Sequence, residues 1–182
     1  EKTMRRRSAL WLLRRRRRAS SSPPPRRTYE YEVDHVGLVH LASAKRRTLA
    51  TAYRDPKFLD GLYRGLRRRR DGRWTSVCAG ELNVLTSAFD GVVVVFHSLA
   101  GNDLLFAGTF KERFAPANLR FHAGHFFHPL PSHPSLGPFG LVGSHVAHEL
   151  AANLTFAEDD AAVTLDYAGE RHRLLPMQHD LG

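Results

Sequence analysis

Apolar residues in this chain occur only in short runs. No uninterrupted run exceeds five residues, the length of Val92–Phe96, which is far short of the roughly 20 residues that a membrane-spanning helix needs. Glycine-containing turns at Gly91 and Gly101 bound these runs, and short runs separated by turn residues are typical of β-strands joined as hairpins. We therefore predict a small antiparallel sheet with strands at residues 74–85, 92–99 and 104–110.

One amphipathic helix precedes these strands. Asp55-Pro56 is typical of a helix start, because Asp favours the N-cap and Pro the first helical position. The apolar residues that follow fall on one helical face; they are Phe58, Leu59, Leu62, Tyr63 and Leu66. The pattern predicts a helix over 56–70, ending before Asp71-Gly72.

The second half of the chain repeats the order of elements in the first half. Each half contains a strand, then a helix, then further strands. In the first half these are 38–41, 56–70 and the strands from 74 onward; in the second they are 124–130, 144–154 and a hairpin at 162–175. The order predicts an α+β fold, a single domain of two related β–α–β units with mainly antiparallel strands.

The N-terminal leader, residues 1–28, holds all the excess positive charge. Residues 1–27 carry a net charge of +10 and residues 28–182 a net charge of −1, within a total of +9. The leader is rich in Arg and Ser and contains Pro23-Pro24-Pro25, a composition typical of an organellar transit peptide. Its like charges predict disorder. A basic arm for nucleic acid or nuclear import and a translation artefact are the alternatives.

The leader also sets the expected domain limits and compartment. The folded domain is expected over residues 29–176, with a C-terminal tail at 177–182. A single cysteine, Cys78, excludes an internal disulfide, so no oxidising compartment is implied. We expect a mitochondrial protein, in the matrix, with the plastid as the alternative.

Five short motifs occur in order along the chain. They are Tyr29-x-Tyr31-x-Val33-Asp34-His35-x-Gly37, Asp55-Pro56-x-Phe58-Leu59, Ser76-x-Cys78-x-x-Glu81-x-Asn83, His128-Pro129 and Gly140-Leu141-Val142-x-Ser144-x-x-Ala147-x-Glu149-Leu150. Together they resemble uncharacterised protein family 0598, a group of small, mostly eukaryotic proteins of unknown function that are generally assigned to mitochondria. The resemblance spans about Tyr29 to Leu175 and implies no catalytic residue. The chain departs from the family pattern at Val77, where relatives have proline.

The order of elements is also similar to that of a bacterial family of unknown function with repeated motifs. That likeness concerns the fold alone.

Polar residues within the motifs supply a candidate catalytic set, namely His35, Cys78, Glu81, Asn83 and His128. A nucleophilic cysteine needs a base beside it, and only folding can bring a histidine to Cys78. On a continuous strand Glu81 and Asn83 share one face while Cys78 lies on the other, so a bulge at Ala79-Gly80 is needed to unite them. The alternatives are a buried, inert Cys78 and a Glu–Asn pair that organises a loop.

Asp34 precedes His35 and a glycine turn. Adjacent residues on a strand lie on opposite faces, so the carboxylate is not expected to orient the His35 imidazole as a general base. We predict instead that Asp34 bonds the backbone of its own turn.

Two histidines in the second predicted helix form a candidate metal site. His145 and His148 are three residues apart and share a face, and Glu149 offers an oxygen ligand. The spacing differs from the zinc-protease motif, whose histidines are four apart with Glu beside the first. Surface or half-buried histidines are the alternative, and no cofactor is expected.

A basic segment remains when the leader is set aside. Residues 45–73 hold eleven basic and three acidic side chains, a net of +8, whereas residues 74–182 have a net of −6. The candidate anion-binding set lies at the end of the first predicted helix and comprises Arg64, Arg67, Arg68, Arg69, Arg70 and Arg73. An anionic lipid surface, RNA or an acidic protein fits such a patch, with Trp74 nearby for base stacking. A solvated helix end stabilised by its dipole is the alternative.

Two functional hypotheses follow. The first is a non-enzymatic binding or assembly module that contacts an anionic partner through the basic helix end. The second is an unrecognised enzyme with a site around the candidate catalytic set. The module is favoured, because no spacing in the chain meets a known catalytic template.

Overall fold

A computed structural model describes residues 27–87, 89, 91–156 and 163–177. Within these ranges the chain folds mostly as β-structure, with two mixed sheets and two α-helices. The predictions for most of the leader and for the tail beyond Met177 lie outside the described residues.

The first sheet has five strands in the order β2-β1-β5-β4-β3. They are β1 (Thr28–Val33), β2 (Val39–Leu41), β3 (Arg67–Arg68), β4 (Trp74–Cys78) and β5 (Glu81–Ser87). The central strand β5 is parallel to its neighbour β1, and the other three pairings are antiparallel. Strand β3 therefore forms one edge of the sheet.

The second sheet has nine strands in the order β12-β13-β14-β9-β10-β11-β6-β7-β8. They are β6 (Val95–Ala100), β7 (Asp103–Phe106), β8 (Phe110–Arg113), β9 (Arg120–His122), β10 (His125–Pro129), β11 (Phe139–Val142), β12 (Leu154–Phe156), β13 (Val163–Tyr167) and β14 (Glu170–Pro176). The pairs β6–β11 and β9–β14 are parallel.

Helix α1 (Pro56–Gly65) begins where the sequence predicted. The Asp55 carboxylate accepts a hydrogen bond from the Lys57 amide, and proline occupies the first turn. The helix ends five residues earlier than predicted, because Leu66 is extended and fully buried. The arginines expected in its last turn therefore belong to strand β3 and the turn that follows.

Two glycines bring α1 close to strand β4. A Cβ atom at Gly61 would lie 2.9 Å from the Cys78 Sγ atom, and one at Gly65 would overlap the Ser76 hydroxyl. Both approaches are closer than van der Waals contact, so a larger residue at either position would require the facing side chain or the helix to shift.

Helix α2 (Ser144–Ala151) is also shorter than predicted and buries Val146 and Leu150. Three short 3-10 helices complete the described structure; they are Leu49–Thr51, Pro116–Asn118 and Pro134–Leu136.

The prediction of two β–α–β units in an α+β fold is wrong. Strands from both predicted units belong to the nine-stranded sheet, because β11 of the second half pairs with β6 of the first. Four strands that the sequence did not predict belong to this sheet, namely β8, β9, β11 and β12. A strand buries its polar backbone only by pairing, and here pairing crosses the boundary between the halves.

One continuous apolar core joins both sheets and α1. Tyr63 lies on the buried face of α1, and its hydroxyl donates a hydrogen bond to the Val93 carbonyl oxygen at 2.9 Å. Burial raises the pKa of the Tyr63 phenol above its ordinary value. The hydroxyl therefore stays protonated and links α1 to the segment before β6.

Replacing Tyr63 with phenylalanine is expected to lower the free energy of unfolding by about 1–3 kcal/mol, since the Val93 carbonyl loses its partner. Urea denaturation measures the loss. Tyr167→Phe is the control, because no hydrogen bond of the Tyr167 hydroxyl is formed among the described residues. Equal midpoints for the two variants would contradict this role of Tyr63.

Candidate functional site

The turn after β1 is organised by Asp34. Its Oδ1 atom accepts hydrogen bonds from the Val36 and Leu38 amides at 3.0 and 2.8 Å, which confirms the predicted turn role. Its Oδ2 atom lies 3.2 Å from the Nε2 atom of His40, while His35 is exposed. The histidine that meets the carboxylate is therefore His40.

Sequence reasoning missed His40, which is 1% exposed. Its Nδ1 atom is buried without a hydrogen-bond partner among the described residues. The available signal was period-2 alternation, which places His40 on the same face of the strand as Leu38, next to the turn.

Strands β4 and β5 form a tight hairpin rather than the bulged strand needed by the catalytic hypothesis. Cys78 pairs directly with Glu81, and the two turn residues have φ values of 55° at Ala79 and 76° at Gly80. Positive φ at both positions is the geometry of a two-residue hairpin turn. The Asn83 side chain is buried, and its amide donates to the carbonyl oxygens of Ser76, Cys78 and Glu81 at 3.4, 3.4 and 3.2 Å.

These contacts give Asn83 a structural role. Cys78 is half-buried, and its thiol lies against Gly61 of α1. No described hydrogen bond joins the thiol to a histidine or carboxylate.

The two candidate catalytic histidines lie away from this hairpin. Asn83 is opposite Tyr29 in the parallel pair of β1 and β5. His35 lies beyond the far end of β1. The five strand residues from Tyr29 to Val33, which span four steps of about 3.3 Å, therefore already separate Asn83 from His35 by about 13 Å. His128 belongs to the other sheet. The structure therefore unites Cys78, Glu81 and Asn83 but brings neither histidine to them.

The ring nitrogens of His128 are both occupied. Nε2 accepts a hydrogen bond from the Ala115 amide at 3.0 Å, and Nδ1 lies 2.7 Å from the Pro129 carbonyl oxygen. These partners require a neutral ring with its proton on Nδ1. Burial lowers the pKa of His128, and burial also lowers the pKa of His97 on β6.

The two lowered pKa values predict loss of stability in acid. In the unfolded chain these histidines take up protons near pH 6.5, whereas the folded protein binds them only at lower pH. Stability is therefore fully present above about pH 6.5 and falls as the pH drops, by at most about 1.4 kcal/mol per pH unit for each histidine.

Urea unfolding at several pH values between neutral and mildly acidic measures this slope. His128→Gln is expected to reduce the slope below that of the wild-type protein. An unaltered slope in His128→Gln would contradict the assignment.

The candidate metal residues lie on α2. His145 Nε2 is 3.4 Å from Glu149 Oε1, and both side chains are largely exposed; His148 is exposed as well. Throughout the described residues, no group of three or more His, Cys, Asp or Glu side chains is arranged to hold a metal ion.

Three of the six candidate anion-binding arginines are engaged within the protein. Arg64 lies 3.7 Å from Asp60 and over the Phe110 ring. Arg67 donates to the carbonyl oxygens of residues 64 and 66 at the end of α1. Arg73 makes two hydrogen bonds to the Asp71 carboxylate, which lower the pKa of that carboxyl.

The other three arginines form what we call the arginine tip, defined as Arg68, Arg69 and Arg70. All three are exposed. In the described part of the chain, none of their guanidinium groups has a hydrogen-bond or ion-pair partner. A turn holds the tip together, since the Gly72 amide donates to the Arg69 carbonyl oxygen at 3.0 Å.

A cleft of about 190 Å³ lies beside the tip, between Arg68, Trp74 and the loop at 134–139. Trp74 is 5% exposed, and its indole N–H donates to the Gly91 carbonyl oxygen at 2.9 Å. The expectation that Trp74 offers a stacking surface is therefore wrong.

Neither helix among the described residues is long and apolar enough to span a bilayer.

Comparison with solved structures shows a distant similarity. The crystal structure of a DUF1285 family protein from Silicibacter pomeroyi DSS-3 is similar at 13% sequence identity and a TM-score of 0.47, covering 85% of this chain and 84% of that one.

Comparison with protein families gives a match over nearly the whole sequence. Residues 19–178 match the family described as a domain of unknown function (DUF4505). The match agrees with the sequence-based expectation of an uncharacterised family, and it spans the β4–β5 hairpin, the arginine tip and both sheets. The chain therefore belongs to the domain of unknown function family DUF4505.

Proposed function

We propose that the protein is a non-enzymatic binding module that contacts the phosphate groups of an anionic lipid surface through the arginine tip. One observation carries the proposal: three consecutive exposed arginines have no partner among the described residues. Basic residues near an anionic membrane surface contribute about 1 kcal/mol each to binding.

The charge distribution along the chain supports one orientation. Residues 45–73 carry a net charge of +8, and residues 74–182 carry −6. An anionic surface attracts the first segment and repels the second. The protein is therefore expected to approach such a surface with the tip first.

A lipid surface fits the tip better than RNA does. Proteins that bind single-stranded RNA without sequence preference combine a basic groove with aromatic side chains on which bases stack. Trp74, the aromatic residue beside the tip, is buried and its indole N–H is occupied. A lipid headgroup needs no stacking partner.

Sedimentation with vesicles tests the proposal. The chain from Arg27 onward is used, so that the leader charges do not dominate, after cooperative thermal unfolding has shown that it is folded. We expect binding to vesicles that contain anionic phospholipid, none to zwitterionic vesicles, and release at about 1 M salt, where the Debye length is about 3 Å. Equal binding to both vesicle types would refute the electrostatic basis, and binding to RNA with none to vesicles would refute the lipid assignment.

We also propose that residues 1–28 are an organellar transit peptide and that the domain acts in the mitochondrial matrix, with the plastid as the alternative. The Arg- and Ser-rich, almost acid-free composition of the leader supports this. N-terminal sequencing of protein recovered from purified mitochondria is expected to give a start near residue 28. A start near Met4 would contradict the proposal.

A further inference from the structure

A second pocket lies away from the arginine tip, where the two sheets meet α1. Its volume is about 280 Å³, just below the usual range of small-molecule sites. The wall is formed by the turn after β1, the segment leading into α1, strand β6 and the turn after β7. Elements that are distant in sequence therefore converge on one cavity.

The pocket wall is mainly apolar. Leu38 and Ala107 line it from the two turns, Leu59 lines it from α1, and Leu49 lines it from the first 3-10 helix. Leu49 is 58% exposed, and covering such a side chain with an apolar ligand is favourable at about 25 cal/mol per Å² of apolar surface.

A single cation lines the pocket. Arg54 is exposed, and its guanidinium group has no hydrogen-bond or ion-pair partner within the described ranges. The neighbouring His97 ring contributes no charge near neutral pH, because burial lowers its pKa. Its Nδ1 atom lies 3.1 Å from the Ser98 hydroxyl, and the ring also bonds the Ala107 backbone. The pocket therefore offers one positive charge beside an apolar surface.

The walls of the pocket are fixed. The turn residue Gly37 has φ of +89° and presses on β6, where an added Cβ would lie 3.0 Å from the His97 Cβ atom. On the other side, the Asp60 carboxylate accepts hydrogen bonds from the Thr109 amide and hydroxyl at 2.7 and 2.6 Å. A preformed site avoids much of the ordering cost of binding.

We propose that this pocket binds a small amphipathic monocarboxylate, with its carboxylate on Arg54 and its apolar body against Leu38, Leu59 and Ala107. Guanidinium and carboxylate form charge-assisted, two-point hydrogen bonds. One cation suits one carboxylate, whereas a phosphate group with two charges calls for more donors. The inference concerns a different surface from the arginine tip and does not depend on the proposed membrane contact.

The test is a titration of the full ¹⁵N-labelled chain with hexanoate, followed by two-dimensional NMR. We expect saturable shifts at the amides that line the pocket, and much weaker binding of hexan-1-ol, which has the same chain length without the charge. Arg54→Gln is expected to weaken hexanoate binding at least about tenfold, and Arg54→Lys less.

Arg46→Gln is the matched control, because Arg46 is exposed on the same segment and does not line the pocket. It is expected to bind hexanoate as the wild-type protein does. Three results would overturn the inference: unsaturable shifts spread over surface arginines, equal affinity for hexanoate and hexan-1-ol, or an Arg54→Gln variant, folded by its amide spectrum, that binds like the wild-type protein. The proposed vesicle contact is made by the arginine tip, of which Arg54 is not part, so hexanoate binding by Arg54→Gln is measured independently of vesicle binding.

Discussion

Replacing Gly108 with valine is expected to lower the free energy of unfolding by about 3 kcal/mol or more. The added side chain would clash with backbone atoms, which cannot rotate away as side-chain atoms can. Gly108 lies in the turn between β7 and β8 and is pressed onto the first turn of α1. An added Cβ atom would lie 2.6 Å from the Pro56 carbonyl oxygen and 3.1 Å from the Pro56 Cα atom. It would also overlap the Asp60 carboxylate that holds Thr109.

Chemical denaturation measures this effect, with Gly101→Asn as the control. Gly101 has φ of +61° and nothing within 4 Å of an added Cβ, and asparagine tolerates that backbone conformation better than most residues. The loss in free energy of unfolding for the control is expected to be only a small fraction of the loss for Gly108→Val. Similar midpoints for Gly108→Val and the wild-type protein would show that the β7–β8 turn does not dock on α1 as described.

Replacing all three residues of the arginine tip with glutamine is expected to weaken binding to anionic vesicles about 100-fold. The figure follows from about 1 kcal/mol for each basic residue at the surface and about 1.4 kcal/mol for each tenfold change in affinity. The variant is expected to fold normally, because the three guanidinium groups are exposed and have no hydrogen-bond or ion-pair partner among the described residues.

The matched control removes three arginines elsewhere, namely Arg46, Arg113 and Arg173, all of them exposed. It makes the same change in net charge and is expected to bind within about threefold of the wild-type protein, since distant charges are screened. An equal loss in both triple variants would show that net charge, rather than the tip, determines binding.

Local signals in the sequence predicted the elements that depend on local chemistry. Asp55-Pro56 gave the start of α1, because N-cap bonding and the fixed φ of proline act within one turn. The region predicted as one strand over 74–85 is β-structure, but the Ala79-Gly80 turn divides it into β4 and β5, and β5 continues to Ser87. Asp34 was correctly assigned to its own turn.

Features that depend on distant pairing were not predictable in this way. The parallel pairs β1–β5, β6–β11 and β9–β14 join segments far apart in sequence, and nothing in one strand specifies such a partner. The end of α1 was misplaced for a related reason. Arginines are good helix formers, and the sequence therefore favoured a longer helix. In the structure Leu66 is buried, and Arg67 and Arg68 pair with β4 as a strand.

For the candidate anion-binding site, the sequence predicted which residues are present but not which of them are free to bind a partner. The sequence placed six arginines together, but only the backbone path separates Arg67, which donates to carbonyl oxygens of α1, from the unpartnered Arg68 to Arg70. The pairing of Asp34 with His40 likewise depends on the turn that returns β2 alongside β1.

Hydrogen–deuterium exchange of the chain from Arg27 onward, with and without anionic vesicles, tests the central claim most directly. It reports which backbone amides become protected, and it requires no amino-acid substitution. The account predicts that vesicles slow exchange at residues 67–73 and leave the nine-stranded sheet unchanged. Protection confined to other segments, with exchange at residues 67–73 unaltered, would contradict it.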